Sequence, residues 1–363
     1  MKIGILTFHR AINYGALLQT YAMKTFLESS GHDVEVIDYW PEGHDNAYRI
    51  FNVSLFDRLS ITKKIKYIAV FLLRFQKSFI RKKRSENLVR KLFSLNETPR
   101  YSCPEDLKDV DCDCIIYGSD QIWWNSTIPG YEGFDSVYWG SYVSAKIKKI
   151  SYAASMGVIS LSETEKRKIR GWLEEFSSLS VREEGLRQVL SEITEKEIVV
   201  TSDPVFLLSR QKWASMFKPI KTPDRYVLLF NLMNSKECEL AAAARAKESG
   251  CEVLEVTASV DPSKRGRHVI QTADAFEFLY LIANAESVVT SSFHCTAFSV
   301  IFQKDFLSLG MGRNSGRVSS LLTKLDLVDR MSPETHSGIN YAEVSERLEN
   351  YINSSMVYLN SVV

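Results

Sequence analysis

The 363-residue sequence has no CxxC pair and no cysteine–histidine spacing of a zinc site; its six cysteines are scattered. They read as reduced thiols of a cytoplasmic protein. No apolar run approaches the roughly 20 residues that a membrane span requires, the longest being YIAVFLL at 67–73. The opening MKIGILTFHR has one lysine and too short an apolar stretch for a signal peptide, so it reads as a first β-strand. A net charge of +1 removes any overall field that would recruit nucleic acid and leaves electrostatic preferences local. The sequence has no Walker loop and no cluster of metal-ligand residues, so neither bound metal nor a tightly held cofactor is expected. The first turn, TFHRAINYGALL, has only Gly15 where a nicotinamide-binding loop needs GxGxxG, and Asp38 at the next strand end does not rescue that reading.

What is present is a repeated strand–helix rhythm. KIGIL (2–6) reads as a buried strand, 15–29 as a helix and VEVIDY (34–39) as a strand; later come CIIYGSD (114–120), KISYAASMG (149–157), a helix near 162–177, LSVRE (179–183) and EIVVTSDPVF (197–206). After Pro223 the rhythm restarts, with strands at 226–232, 251–256, 287–292 and 305–310 and helices at 235–249, 274–284 and 294–303. Alternation of this kind predicts α/β architecture, with two doubly wound Rossmann-type domains facing a cleft. The expected division is 1–205, carrying a basic helical insertion at about 50–95, then 206–340, then a C-terminal helix in 341–363 that packs back on the first domain.

Ligands of such sheets sit beyond the carboxyl ends of the strands, so the strand ends carry the candidates. In the first turn these are Asn13, a helix N-cap, and Gly15, which lets backbone approach a ligand; His9 reads as incidental. YGSDQIWWN offers Ser119, Asp120, Gln121 and Trp123 at one mouth, although the same residues also suit a capped helix start with indoles in the core. Arg182 ends the LSVRE strand, and Asp203, before a proline, reads as a shaper of the interdomain linker. In the second half TSSFHC places Ser292, Phe293 and His294 where a strand turns into a helix, whose free N–H groups favour anions. MGRNSGRVSSLL adds Arg313 and Arg317, and arginine forks suit carboxylate and phosphate. Together His294, Arg182, Arg313 and Arg317 point to one small anionic ligand.

The ordered set NYGALLQTYA, YGSDQIWWN, SYAASMG, VREE, SDPVFLL, TSSFHCTAFSVIF and RNSGRVSSLL resembles the polysaccharide pyruvyl transferases, over residues 1 to about 330. The resemblance implies a GT-B-like fold and transfer of pyruvate from phosphoenolpyruvate onto two hydroxyls of a sugar as a ketal, in bacterial surface or capsule polysaccharide synthesis. It also implies donor roles for His294 and Arg182. Where some members have Arg-Leu-His, this chain has Ser292-Phe293-His294, so one donor-binding cation is either missing or replaced by Arg313 or Arg317. On this reading His294 is catalytic, Asp120 accepts a hydroxyl proton, and Asn13, Gly15, Ser119, Asp120, Gln121 and Trp123 face the acceptor. Residues 58–93 hold twelve Lys/Arg and one acidic residue, Glu86. They read either as a solvated helix pair packed on the first domain or as an interfacial segment on anionic lipid, suited to an acceptor linked to polyprenyl diphosphate. Two other functions fit the architecture: a nucleotide-sugar glycosyltransferase or epimerase, and a non-catalytic glycan-binding protein.

Overall fold

A computed structural model describes residues 1–128, 131–312, 315–334 and 338–363. The first sheet is built from β1 (Lys2–Leu6), β2 (Asp33–Val36), β3 (Cys114–Tyr117) and β4 (Lys148–Ser151), all parallel in the order β2-β1-β3-β4. A parallel pair, β5 (Leu179–Val181) and β6 (Ile198–Val200), continues it through bridges from Ile150 to Ser178 and from Ala154 to Val181. The second sheet holds β7 (Tyr226–Phe230), β8 (Glu252–Val256), β9 (Val269–Ile270), β10 (Ser287–Thr290) and β11 (Asp305–Ser308), parallel in the order β9-β8-β7-β10-β11. In each sheet the order reverses beside the first strand, which opens a crevice at the strand ends. The fold is thus the expected pair of doubly wound Rossmann-type domains, of GT-B-like form. Strands such as CIIY and SVVT are buried on both faces, which explains their unbroken apolar character.

Five helices position the site. Helix α1 (Tyr14–Ser29) follows β1; Asn13 caps it, its side chain accepting from Gly15 N at 3.0 Å. Residues 61–93 form α2 (Ile61–Phe93), one helix of 33 residues where a pair was one expectation. The stretch holds neither glycine nor proline, so nothing interrupts it. Its C-terminal half also departs from the expectation of packing on the first domain alone. Arg81 Nη1 donates to the carbonyls of Thr257 and Gln271, and Arg84 pairs with Asp274 and Glu277, all in the second domain.

Helix α3 (Phe293–Ile301) follows β10 and is buried along its whole length, while α4 (Gly316–Leu325) comes after β11. Helix α5 (Tyr341–Val362) returns to the first sheet, where Leu359 and Val362 join Ile3, Ile5, Ile116 and Ile150 in one apolar cluster. Ser202 N donates to Ser355 Oγ at 2.8 Å and Tyr358 Oη to the Ser151 carbonyl at 3.1 Å, so α5 ties the β6 exit to the sheet. A second cluster spans both domains, with Tyr14, Leu17 and Phe93 beside Phe278, Phe293 and Phe298.

Candidate functional site

The carboxyl ends of β3, β5, β6 and β10 meet in the cleft, and the side chains that leave them form one charged group. Arg182, buried to 2% exposure, pairs through Nη1 with Asp203, which is 1% exposed. The same Nη1 lies 3.3 Å from Ser119 Oγ, and Nη2 lies 3.7 Å from Asp120. From the second domain His294 brings Nε2 to 3.4 Å from Asp203 Oδ2, misaligned for a hydrogen bond and without another partner among the described residues. Arg317 reaches across from α4 to 3.9 Å from Asp120. The Phe293 ring lies under both guanidinium groups, 4.6 Å from Arg182 and 5.9 Å from Arg317.

The electrostatics leave room for an anion. Burial alone would raise the Asp203 carboxyl, yet His294 and Arg182 beside it hold it well below the usual carboxylate range. Arg317 is pulled down to about 10 by burial and then by the charge of Arg182, with Asp120 opposing. At neutral pH it still carries its proton. Arg182 Nε and Nη2 and Arg317 Nε are buried donors without partners among the described residues. Two like charges close together, with donors unfilled, describe a site for a ligand rich in acceptor oxygens. The starts of α1 and α3 add helix N-termini from the two domains.

Each sequence candidate finds a definite place. Gly15 packs directly on the imidazole: a Cβ there would lie 2.0 Å from His294 Nδ1. The absence of a side chain at Gly15 therefore permits the close approach of α1 to His294. Ser292 is occupied as the α3 cap, accepting from Cys295 N. Asn13 is exposed beside the cleft, with its carbonyl oxygen used as a cap. Asp120 remains at the site, held at φ 72° with its Oδ1 accepting from Gln121 N. Arg313 lies outside the described residues.

Two acceptor candidates are buried. Ser119 is fully buried and engaged with Ala153, Asp203 and Arg182. Trp123 is fully buried too; its Nε1 donates to the Tyr138 carbonyl and its ring stacks on Trp139 at 4.5 Å. Neither offers a face to a sugar. Gln121 lies against Gly157, at the rim of the same mouth.

Residues to which the sequence reading gives no part in the site are equally central. Asp203 is the shared counter-ion of Arg182 and His294, while also capping the turn after β6 through Val205 N. Glu183, next to Arg182 and 2% exposed, accepts from Ser155 Oγ and Met156 N and leaves Oε2 unpartnered among the described residues. His9 and Arg10 both bond Asp38, whose carboxyl burial would raise but whose two partners hold down at about 2. This buried cluster fixes the β1–α1 turn and so the placement of Gly15. The signal available for the carboxylates Asp38, Glu183 and Asp203 is a charged residue at the end of an apolar strand.

Among the described residues no three His, Cys, Asp or Glu side chains gather as a metal site, and no helix is long and apolar enough to cross a membrane. No curated protein sequence matches the chain significantly. Its fold is similar to that of the UDP-GlcNAc 2-epimerase from Neisseria meningitidis bound to UDP-GlcNAc, at 13% identity and TM-score 0.43, covering 100% of this chain and 94% of that one. The enzyme of the same description from Methanocaldococcus jannaschii gives 14%, 0.44, 97% and 93%. An Escherichia coli heptosyltransferase gives 11%, 0.32, 85% and 88%. The sequence model of one family, polysaccharide pyruvyl transferase, matches residues 13–312, a stretch that runs from the Asn13 cap through β11 and contains Asp120, Arg182, Asp203 and His294. The chain belongs to the polysaccharide pyruvyl transferase family.

Proposed function

We propose that the cleft binds phosphoenolpyruvate and transfers its pyruvyl group to two hydroxyls of a sugar as a ketal. One observation carries this: two guanidinium groups and an imidazole, drawn from both domains, converge with unfilled donors on a space beside the buried carboxylates Asp120 and Asp203. The donor is a small frame bearing a carboxylate and a phosphate, and Arg182 and Arg317 suit those two groups.

The reaction begins with a proton delivered to the methylene carbon, which becomes the methyl group. Positive charge then develops at the carbon that carries phosphate. One sugar hydroxyl adds there and gives up its proton, and the carbon–oxygen bond to phosphate breaks. The second hydroxyl closes the ring and releases the second proton. Two protons leave the hydroxyls; one replaces that used on carbon and the other leaves with phosphate. His294 acts as the acid or neutralises the departing phosphate, with Asp203 3.4 Å from its Nε2. Asp120, aimed into the cleft, is the acceptor of a hydroxyl proton. No cofactor enters this sequence of steps.

The acceptor in this reading is an oligosaccharide on polyprenyl diphosphate, met at the cytoplasmic face of a membrane during surface polysaccharide synthesis. Helix α2 supports it. Ile61, Ile65, Ile68, Leu72, Phe75 and Phe79 recur at intervals of three and four and are all exposed, from 41 to 78%. At 3.6 residues per turn this stripe is flanked on one edge by Lys64 and Lys82 and runs on into the exposed Lys83. No acidic residue occurs from 58 to 85. An apolar face edged by lysines suits an anionic lipid surface.

The transfer is tested by supplying phosphoenolpyruvate and lipid-linked glycans. One phosphate released per pyruvyl ketal formed supports the reading; no release with any glycan sinks it. For the surface, the protein is expected to sediment with anionic vesicles at low salt and Phe75→Glu/Phe79→Glu to stay in solution. Equal sedimentation of the two proteins would remove α2 from the account.

A further inference from the structure

A cavity of about 300 Å³ opens between α2, the 48–50 segment and the turn at 258–260. Arg49, Arg74, Arg81 and Lys82 line it, with the hydroxyl-bearing Ser78 and Ser259, and no carboxylate is among its lining residues. Two of the cations already have partners outside it: Arg49 lies 3.5 Å from Asp45 and Lys82 lies 3.8 Å from Glu86. Arg74 and Arg81 have no acidic partner among the described residues. Arg74 donates to the Ile50 carbonyl at 3.1 Å, and its Nε is buried with no partner. Arg81, 6% exposed, donates only to the carbonyls of Thr257 and Gln271, at 2.7 and 3.1 Å.

Burying a guanidinium against neutral dipoles alone is costly, and such a group is normally answered by a bound anion or a carboxylate. Arg81 is such a group, and the half-buried Arg74, with its Nε unfilled, faces the same cavity. A volume near 300 Å³ is at the small end of ligand sites, enough for a phosphate or diphosphate with little besides. The cavity also adjoins the cleft on the first-domain side. Ile12 is part of its wall, and three residues on, Gly15 touches His294. Tyr48, another wall residue, is pushed up to about 12 by burial and by the nearby charge of Asp120.

We propose that this cavity is a subsite for the phosphate or diphosphate group of the acceptor, gripped by Arg74 and Arg81 while the attached sugar extends toward Asp120 and His294. Only the identity of the phosphate's bearer rests on the pyruvyl-transfer reading. The same group occurs on a lipid carrier and on a nucleoside diphosphate, and the arms of the test separate them.

The probe is inorganic pyrophosphate, titrated calorimetrically with and without saturating phosphoenolpyruvate, which occupies the cleft. The wild type is expected to bind pyrophosphate in both conditions. Arg74→Ala should weaken that binding by about tenfold or more, as loss of a charge-assisted hydrogen bond does. Ser78→Glu, which puts a carboxylate on the cavity wall at a position that favours helix, should do the same if Arg74→Ala folds poorly. Phosphoenolpyruvate should bind both variants as it binds the wild type. Unchanged pyrophosphate affinity in the two variants, or no binding by the wild type, overturns the subsite. Loss of phosphoenolpyruvate binding by the wild type with pyrophosphate binding intact would instead remove the pyruvyl-transfer reading and leave the subsite standing. Competition by farnesyl diphosphate better than by UDP assigns the group to a lipid carrier; the reverse order assigns it to a nucleotide-linked acceptor.

Discussion

His294→Ala should lower kcat by about 10²–10⁴, the span that a positioned acid–base group commands, while the fold is retained. The imidazole makes no hydrogen bond through Nε2 among the described residues, so truncation removes little that holds the domains together. Gly15→Ala should give a comparable loss without touching the histidine. A methyl group at that position meets Nδ1 at 2.0 Å and Cγ at 2.2 Å, so the ring has to turn away from Asp203. In an ordinary helix the same change adds about 1 kcal/mol of stability, which makes a large fall in turnover with unimpaired folding diagnostic. Turnover within a few-fold of wild type in either variant would take His294 out of the chemistry.

Asp203→Asn is expected to cost about 3 kcal/mol of folding stability at neutral pH, because it leaves Arg182 buried opposite an uncharged group. Asparagine retains the carbonyl oxygen that caps Val205 N, so the effect reports charge rather than the turn. The pH dependence has a definite sign. The folded carboxyl titrates below its unfolded value of roughly 3.9, so its contribution is complete above that pH and is lost as the solution is acidified through the folded value. Urea unfolding should therefore show a constant gap between wild type and variant from about pH 5 to 8, narrowing below about pH 4. A gap that stayed unchanged into acid, or vanished at neutral pH, would contradict the buried ion pair.

Much of this arrangement was legible in the sequence because parallel strands buried on both faces read as unbroken apolar runs. Arg182 and His294 both stand just past such runs, and that position alone marks a crevice. The meeting of Arg182 with Arg317 was not legible as geometry, since those residues belong to different domains and are joined only by the way α4 faces β5. Trp123 is ambiguous in sequence because an indole after a strand end suits a sugar platform and a core equally; stacking on Trp139 decides for the core. Asp203 reads as a linker residue in sequence because the proline after it explains the local backbone without reference to Arg182. The α2 segment was read through its charge, yet the feature that matters at Arg81 and Arg84 is the set of second-domain carbonyls and carboxylates they reach. Such partners are some 190 residues away in the chain, beyond any local pattern.

Whether the cleft formed by Arg182, His294 and Arg317 holds phosphoenolpyruvate is decided by calorimetric titration of that compound into the wild type and Arg317→Ala. The account predicts saturable binding by the wild type, weakened about tenfold or more by removal of one guanidinium partner. Equal affinity in the two proteins, or binding of nucleotide-sugars in place of phosphoenolpyruvate with acceptor glycan present, would contradict it.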